Sequence, residues 1–218
     1  MVTFFQKANQ KRRELPAFSY LTNSSYTATT LSQISATLMD TSWLILTATA
    51  DDIPALQALI QLSGRELSVG FYTPEQIESV NHYVFGVDSS LIDDGSYFLV
   101  RDENTLIACG GWSQRRTLYG GDQRRIGKPE KLDPMLEPAR IRAFFVHPDY
   151  ARKGLGMALL HHCEQAALSA GFSALELMAT LPGVPLYQRG GFVEVEQVFD
   201  TLPNGVVIPF IKMRKNLR

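Results

Sequence analysis

The stretch FFVHPDYARKGLGMALL, Phe144 to Leu160, restricts the fold of this chain more than any other segment. It reads as a strand that enters a glycine-bearing turn and leaves it directly as a helix. The first N–H groups of a helix have no internal acceptors, and the helix dipole adds partial positive charge at the same end. Gly154 and Gly156 carry no side chains that would hold an anion away from those amides. Arg152 and Lys153 add formal positive charge beside them. The segment is therefore a candidate pyrophosphate cradle. It lacks the Lys-Ser/Thr of a P-loop and the third glycine of GxGxxG, and it comes too late in the chain for a dinucleotide βαβ unit. Taken alone, the GxG also reads as an ordinary tight turn.

Periodicity and capping signals place the remaining elements. WLILTAT, from Trp43, reads as a short strand. Thr49 and Asp52 form a capping-box pattern ahead of Ile53, Leu56, Leu59 and Ile60, which are spaced for one helical face. Thr73, Pro74 and Gln76 start a second helix in the same way, with proline in the first turn, where its missing N–H does no harm. Tyr97 to Arg101 and Leu106 to Trp112 flank the polar turn Asp102-Glu103-Asn104 and predict a hairpin. A strand follows at Ile141 to Val146, then a helix from Gly154 to Ala170 closed by Gly171, and a strand at Ala174 to Ala179. A short helix around Pro185 to Arg189 and a strand pair, Phe192 to Phe199 and Val206 to Met213, complete the order. That order, β-α-α-β-β-β-α-β-α-β-β, predicts an α/β domain with a mixed sheet over residues 43–218.

The first 42 residues are different. Lys7, Lys11, Arg12 and Arg13 lead into a Ser/Thr-rich stretch in which Glu14 and Asp40 are the acidic residues. Such a composition buries little area and predicts a disordered or loosely packed extension. It is also the bias of an organellar transit peptide, and Met39 offers an alternative start. Over the whole chain 21 Lys and Arg face 22 Asp and Glu. That balance gives no electrostatic pull toward nucleic acid or a membrane surface. No run approaches the roughly 20 apolar residues of a membrane span. Two cysteines, Cys109 and Cys163, in apolar surroundings read as small buried hydrophobes, and a reducing compartment, the cytoplasm, suits them. His82, His147, His161 and His162 show no metal-ligand spacing, so no metal site is expected.

Beyond the cradle helix come ALELMA and then LPGVPLYQRGGF, Leu181 to Phe192. With this second block the sequence resembles the GNAT superfamily of N-acetyltransferases, from about Trp43 to Met213. The resemblance rests on VHPDYARKGLGMALL and LYQRGGF, in that order and at that separation. It implies a central, mostly antiparallel sheet splayed at the cofactor strand and flanked by helices, with acetyl-CoA as co-substrate. It implies that Phe144, Phe145 and Val146 offer main-chain groups to the pantetheine arm. Arg152, Lys153, Gly154, Leu155, Gly156 and Met157 would wrap the pyrophosphate. Tyr187 matches the family's tyrosine near the thioester sulfur, where a phenol protonates the departing thiolate; on a short helix it also reads as a core aromatic. The family's usual Gln or Arg three residues before the first glycine is Ala151 here. The cofactor-touching Asn is replaced by Thr180, or else a residue is deleted in that loop. The deletion aligns LELMAT with the LEVRA-like strand of the ribosomal-protein alanine acetyltransferases, and Glu176 then matches their general base. A Glu on a strand reads equally as a solvent-facing or arginine-paired residue.

The long polar segment from Ser113 to Pro138 is the distinctive feature on the acceptor side. Tyr119, Gly120 and Gly121 in its middle suggest a flap, and its mixed charges otherwise suit a solvated loop. Arg142, on the strand beside the cofactor, is a candidate for binding an acidic group of the acceptor. The leading expectation is acetyl transfer to a small-molecule amine or amino-acid derivative by a monomer or homodimer. The alternatives are acetylation of a protein N-terminus or lysine, and a non-catalytic acyl-CoA sensor.

Overall fold

The computed structural model describes residues 43–124, 127 and 129–217. The expectations for residues 1–42, and the charges of Arg125 and Lys128, lie outside the described residues.

The element order follows the pattern of capping and alternation closely. β1 (Ile45–Thr47) leads to a 3-10 turn at Ala50–Asp52 and then to α1 (Ile53–Glu66). The Asp52 carboxylate accepts from the Thr49 N–H at 2.8 Å, which is the reciprocal half of the expected capping box. Leu56, Leu59 and Ile60 are buried, but Ile53 remains 37% exposed and is not part of the inward face. α2 (Pro74–Tyr83) is capped by Thr73, whose hydroxyl accepts from Gln76 N–H and whose own N–H donates to Gln76 Oε1. α3 (Ser89–Asp93) is an addition to the expected order. Asp88 caps it by accepting from Ser90 N–H, and five residues are too few for a visible period.

β2 (Tyr97–Asp102) and β3 (Thr105–Ser113) form the expected hairpin, with Glu103 at φ 52 in its turn. β4 (Ala139–Val146) begins two residues earlier than its apolar run suggests. α4 (Leu155–Ser169) is closed by Gly171 at φ 90, the left-handed geometry expected of a helix-ending glycine. β5 (Ala174–Thr180), α5 (Val184–Arg189), β6 (Val193–Thr201) and β7 (Val207–Asn216) complete the chain. The seven strands lie in the order β1-β2-β3-β4-β5-β7-β6, antiparallel everywhere except at β4–β5.

Two apolar clusters cover the two faces of this sheet. One gathers Leu155, Leu159, Leu160 and Cys163 of α4 with Phe98, Ile107, Leu175 and Met213. The other gathers Leu56, Ile60 and Val80 of α1 and α2 with Leu99, Cys109 and Phe210. Each large apolar side chain buried in this way contributes roughly 1.5–3 kcal/mol. Among the described residues no helix is long and apolar enough to cross a membrane.

Candidate active site

The site begins where the sheet comes apart. β4 pairs with β5 at Ala139–Leu175 and Arg140–Glu176, whereas β5 stays paired with β7 as far as Thr180–Phe210. From Ile141 onward the β5-facing edge of β4 has no ladder partner among the described residues. On its other edge the register with β3 jumps from Arg142–Gly111 to Phe145–Cys109, so Ala143 and Phe144 together face Gly110. This is a β-bulge, and it bends the strand away from its neighbour. Ala143 has φ 56, a left-handed conformation that costs a non-glycine residue energy and clusters at functional sites. Its carbonyl is within 3.4 Å of the Tyr97 hydroxyl and 3.7 Å of the Cys109 thiol, both buried. A Cβ at Gly110 would come within 2.7 Å of the Phe144 ring, so only glycine leaves room for that ring. At the far end of the opening, Val146 N–H donates to the Ser63 hydroxyl of α1 at 3.3 Å.

The turn after β4 delivers the chain to the mouth of α4. Arg152 at φ 62 and Gly154 at φ 90 are both left-handed, and a Cβ on Gly154 would meet nothing within 4 Å. Ala158 N–H returns to Gly154 O at 3.0 Å, so the amides of Leu155, Gly156 and Met157 precede the first helical bond. No side chain caps them and the first turn holds no acidic residue. Such a mouth suits an anion. Gly156 has a second role that the sequence reading did not assign. A Cβ there would sit 3.1 Å from Leu186, so it is what lets α5 pack on α4. Arg152 lines the cleft, while Lys153 holds its ammonium 4.8 Å from the centre of the Tyr150 ring.

Tyr187 lies at the split, on α5. Its ring is edge-on to Phe144 at 6.2 Å and to Phe192 at 5.8 Å, and it is 8% exposed. Burial, with the Cys163 thiol as a lesser contributor, raises its phenol well above the ordinary value, so it stays protonated. Among the described residues its hydroxyl makes no hydrogen bond. Thr180, the last residue of β5, lines the same cleft. The cleft holds about 560 Å³ and brings together Phe144, Phe145, Val146, Arg152, Gly154, Leu155, Gly156, Met157, Thr180 and Tyr187.

Two of the expected site residues are held in ion pairs with other residues of the chain. Glu176 is not among the residues lining the cleft. It stands on the last rung joining β4 to β5, ion-paired with Arg140 and, at 3.3 Å, with Lys212. Arg142 is buried, 2.7 Å from the Asp88 carboxylate, and donates to the carbonyls of Thr117 and Gly120. In place of a free hand for an acidic acceptor, it is the clamp that holds the β3–β4 loop. That loop is pinned again at its base by the two-pronged Arg115–Asp94 pair at 2.6 and 2.7 Å.

The sequence matches the acetyltransferase (GNAT) family over residues 56–192. The chain belongs to this family. Solved structures of GNAT proteins overlie it along nearly their full length. A GCN5-related N-acetyltransferase from Rhodopseudomonas palustris matches with TM-score 0.60 and 17% identity, covering 83% of this chain and 99% of its own. The PaiA N-acetyltransferase from Thermoplasma acidophilum, solved with coenzyme A, gives 0.54 and 16% over 81% and 99%. A ribosomal-protein-alanine N-acetyltransferase from Brucella melitensis gives 0.54 and 17% over 80% and 99%. At these identities the likeness is one of fold. No curated protein sequence matches the chain.

The remaining walls of this GNAT cleft come from residues that the sequence did not single out: Ser63, Glu66, Phe71, Phe85, Met178 and Phe210 among them. Tyr72 ties the segment after α1 across to the far strands, donating to Pro209 O and accepting from Leu181 N–H. Phe85 and Phe210 sit in runs whose apolar character already reads as core, so nothing local marks them as cleft residues.

Proposed function

We propose that this GNAT chain transfers the acetyl group of acetyl-CoA to a primary amine of a small molecule or amino-acid derivative by direct attack on the thioester. One arrangement carries the reading: a bulged strand parts from its neighbour beside a helix mouth with uncommitted amides, and Tyr187 stands at the parting. The residues present fit the cofactor. The open edge of Phe144, Phe145 and Val146 can pair with the amides of a pantetheine arm as a strand would. The open space at Gly154 lets a diphosphate reach the amides of residues 155–157.

Acetyl-CoA supplies a carbonyl carbon open to an amine and a thiolate leaving group. The main-chain N–H groups of the bulged segment would stabilise the oxyanion that builds as the amine adds. Tyr187, neutral because it is buried, would give its proton to the departing sulfur. Proton loss from the amine is assigned to water in the cleft, because Glu176 is held by Arg140 and Lys212. That ion pairing is also why the small-amine reading is preferred to acetylation of a protein terminus.

Calorimetric titration with coenzyme A and a DTNB assay of thiol release test the proposal together. Binding is expected, with thiol released from acetyl-CoA only when an amine is present. Binding without release over a panel of amines, amino acids and peptides would make the protein a sensor. No binding at all would remove the reading.

A further inference from the structure

The far side of the split indicates which amines would fit, and we infer that the acceptor is a primary amine on an uncharged, apolar, ring-bearing body. This rests on the acetyl-transfer reading above and adds the class of substrate. Beyond β4 from the mouth of α4, the cleft is walled by Phe85, Leu118, Tyr119, Phe145, Met178 and Phe210. Apart from Leu118, all of these belong to or pack against the apolar cluster on the α1 and α2 face, opposite the face that α4 covers. Phe85 meets Phe145 edge-on at 5.2 Å, and Tyr119 lies tilted against Phe210 at 5.3 Å. Tyr119 and Phe145, the partly exposed members of these pairs, offer ring surface to a flat apolar group.

Two arginines near this wall, Arg142 and Arg124, are already paired with carboxylates. Among the described residues, the charged side chains lining the cleft are Glu66, Arg142, Arg152 and Arg189. Arg152 belongs to the turn that opens α4, and Arg189 ends α5, which packs on α4. Arg142 is inside the wall, shared between Asp88 and two carbonyls. An acidic acceptor could recruit it only by drawing it away from the buried Asp88 carboxylate, and breaking a buried pair is costly. Arg124 reaches the wall from behind, 5.1 Å from the centre of the Tyr119 ring, with its guanidinium on Asp200 at 2.5 Å. Paired there, it is not among the residues lining the cleft. Glu66, exposed on the last turn of α1, is the one lining carboxylate. One carboxylate gives the several charges of a polyamine too few partners.

The test compares phenethylamine, glutamate and spermidine as acceptors on one preparation whose coenzyme A binding is measured by calorimetry. Phenethylamine is expected to show kcat/KM at least tenfold above the other two. Tyr119→Ala should raise its KM severalfold with coenzyme A affinity unchanged, and Tyr119→Phe, which keeps the ring, should restore it. If coenzyme A binds but glutamate or spermidine is preferred, the inference is overturned; if none of the three is acetylated, it is the acetyl-transfer reading beneath it that falls. It is likewise overturned if Tyr119→Ala leaves the KM for phenethylamine unaltered in a folded protein. Absence of coenzyme A binding would instead overturn the cofactor reading on which it rests.

Discussion

The two ends of the cleft are built by different means. The end at α4 is made of consecutive residues from Phe144 to Met157, and its chemistry is that of main-chain amides, a bulge and two left-handed turns. The other end, the proposed acceptor side, is made of side chains from α2's C-terminal flank, the β3–β4 loop, β5 and β7, held by the buried Arg142–Asp88 pair. A backbone site tolerates many side chains but few changes of φ. A side-chain site tolerates changes of backbone sequence but not the loss of its clamp. The two should therefore fail differently.

The sharpest separation is expected from Arg142→Ala. Breaking a buried ion pair by removing one partner is costly, and stability should fall by about 3–5 kcal/mol in chemical denaturation. Coenzyme A affinity of the fraction still folded should be unchanged. If both functions fall together, the division into two ends is wrong. Next comes Tyr187→Phe, which sits between them. It should lower kcat by about 100-fold, with coenzyme A affinity and melting temperature nearly unchanged. An equal loss in coenzyme A affinity would make Tyr187 a packing residue.

Alkaline pH probes both faces at once. Burial raises the thiol of Cys109 to about 12 and that of Cys163 well above its ordinary 9.0, while the phenols of Tyr97 and Tyr187 also rise well above 10.0. The unfolded chain loses these protons first, so stability is full below pH 9 and falls as pH rises beyond it. The slope is about 1.4 kcal/mol per group per pH unit. Cys109→Ser and Cys163→Ser should each lessen that slope, which thermal melts between pH 8 and pH 11 will read face by face. The smallest effect is expected at Gly154→Val. Forcing a β-branched residue to φ 90 should weaken coenzyme A binding about tenfold by calorimetry and leave the KM of the amine alone.

Much of the fold was legible because its signals are local. Thr49 with Asp52, Thr73 with Gln76, the turn at Asp102–Asn104 and Gly171 each state their geometry within a few residues, and each adopts it. α3 was missed because it is shorter than the period that would reveal it. Arg142 and Glu176 were placed on the right strands, but their partners lie tens of residues away: Asp88 and Thr117 for one, Arg140 and Lys212 for the other. A charged residue in a strand reads the same from sequence whether it faces a ligand or a counter-ion. Gly156 was read as room for a phosphate when it is also room for Leu186.

By itself the sequence determined the strand-turn-helix of Phe144 to Leu160, since φ preferences, missing side chains and unpaired helix amides are properties of neighbouring residues. Only the tertiary structure decided where β4 leaves β5, which charges are neutralised and which rings line the cleft. Those depend on side chains brought together across the sheet, where burial sets the cost of leaving a charge unpaired.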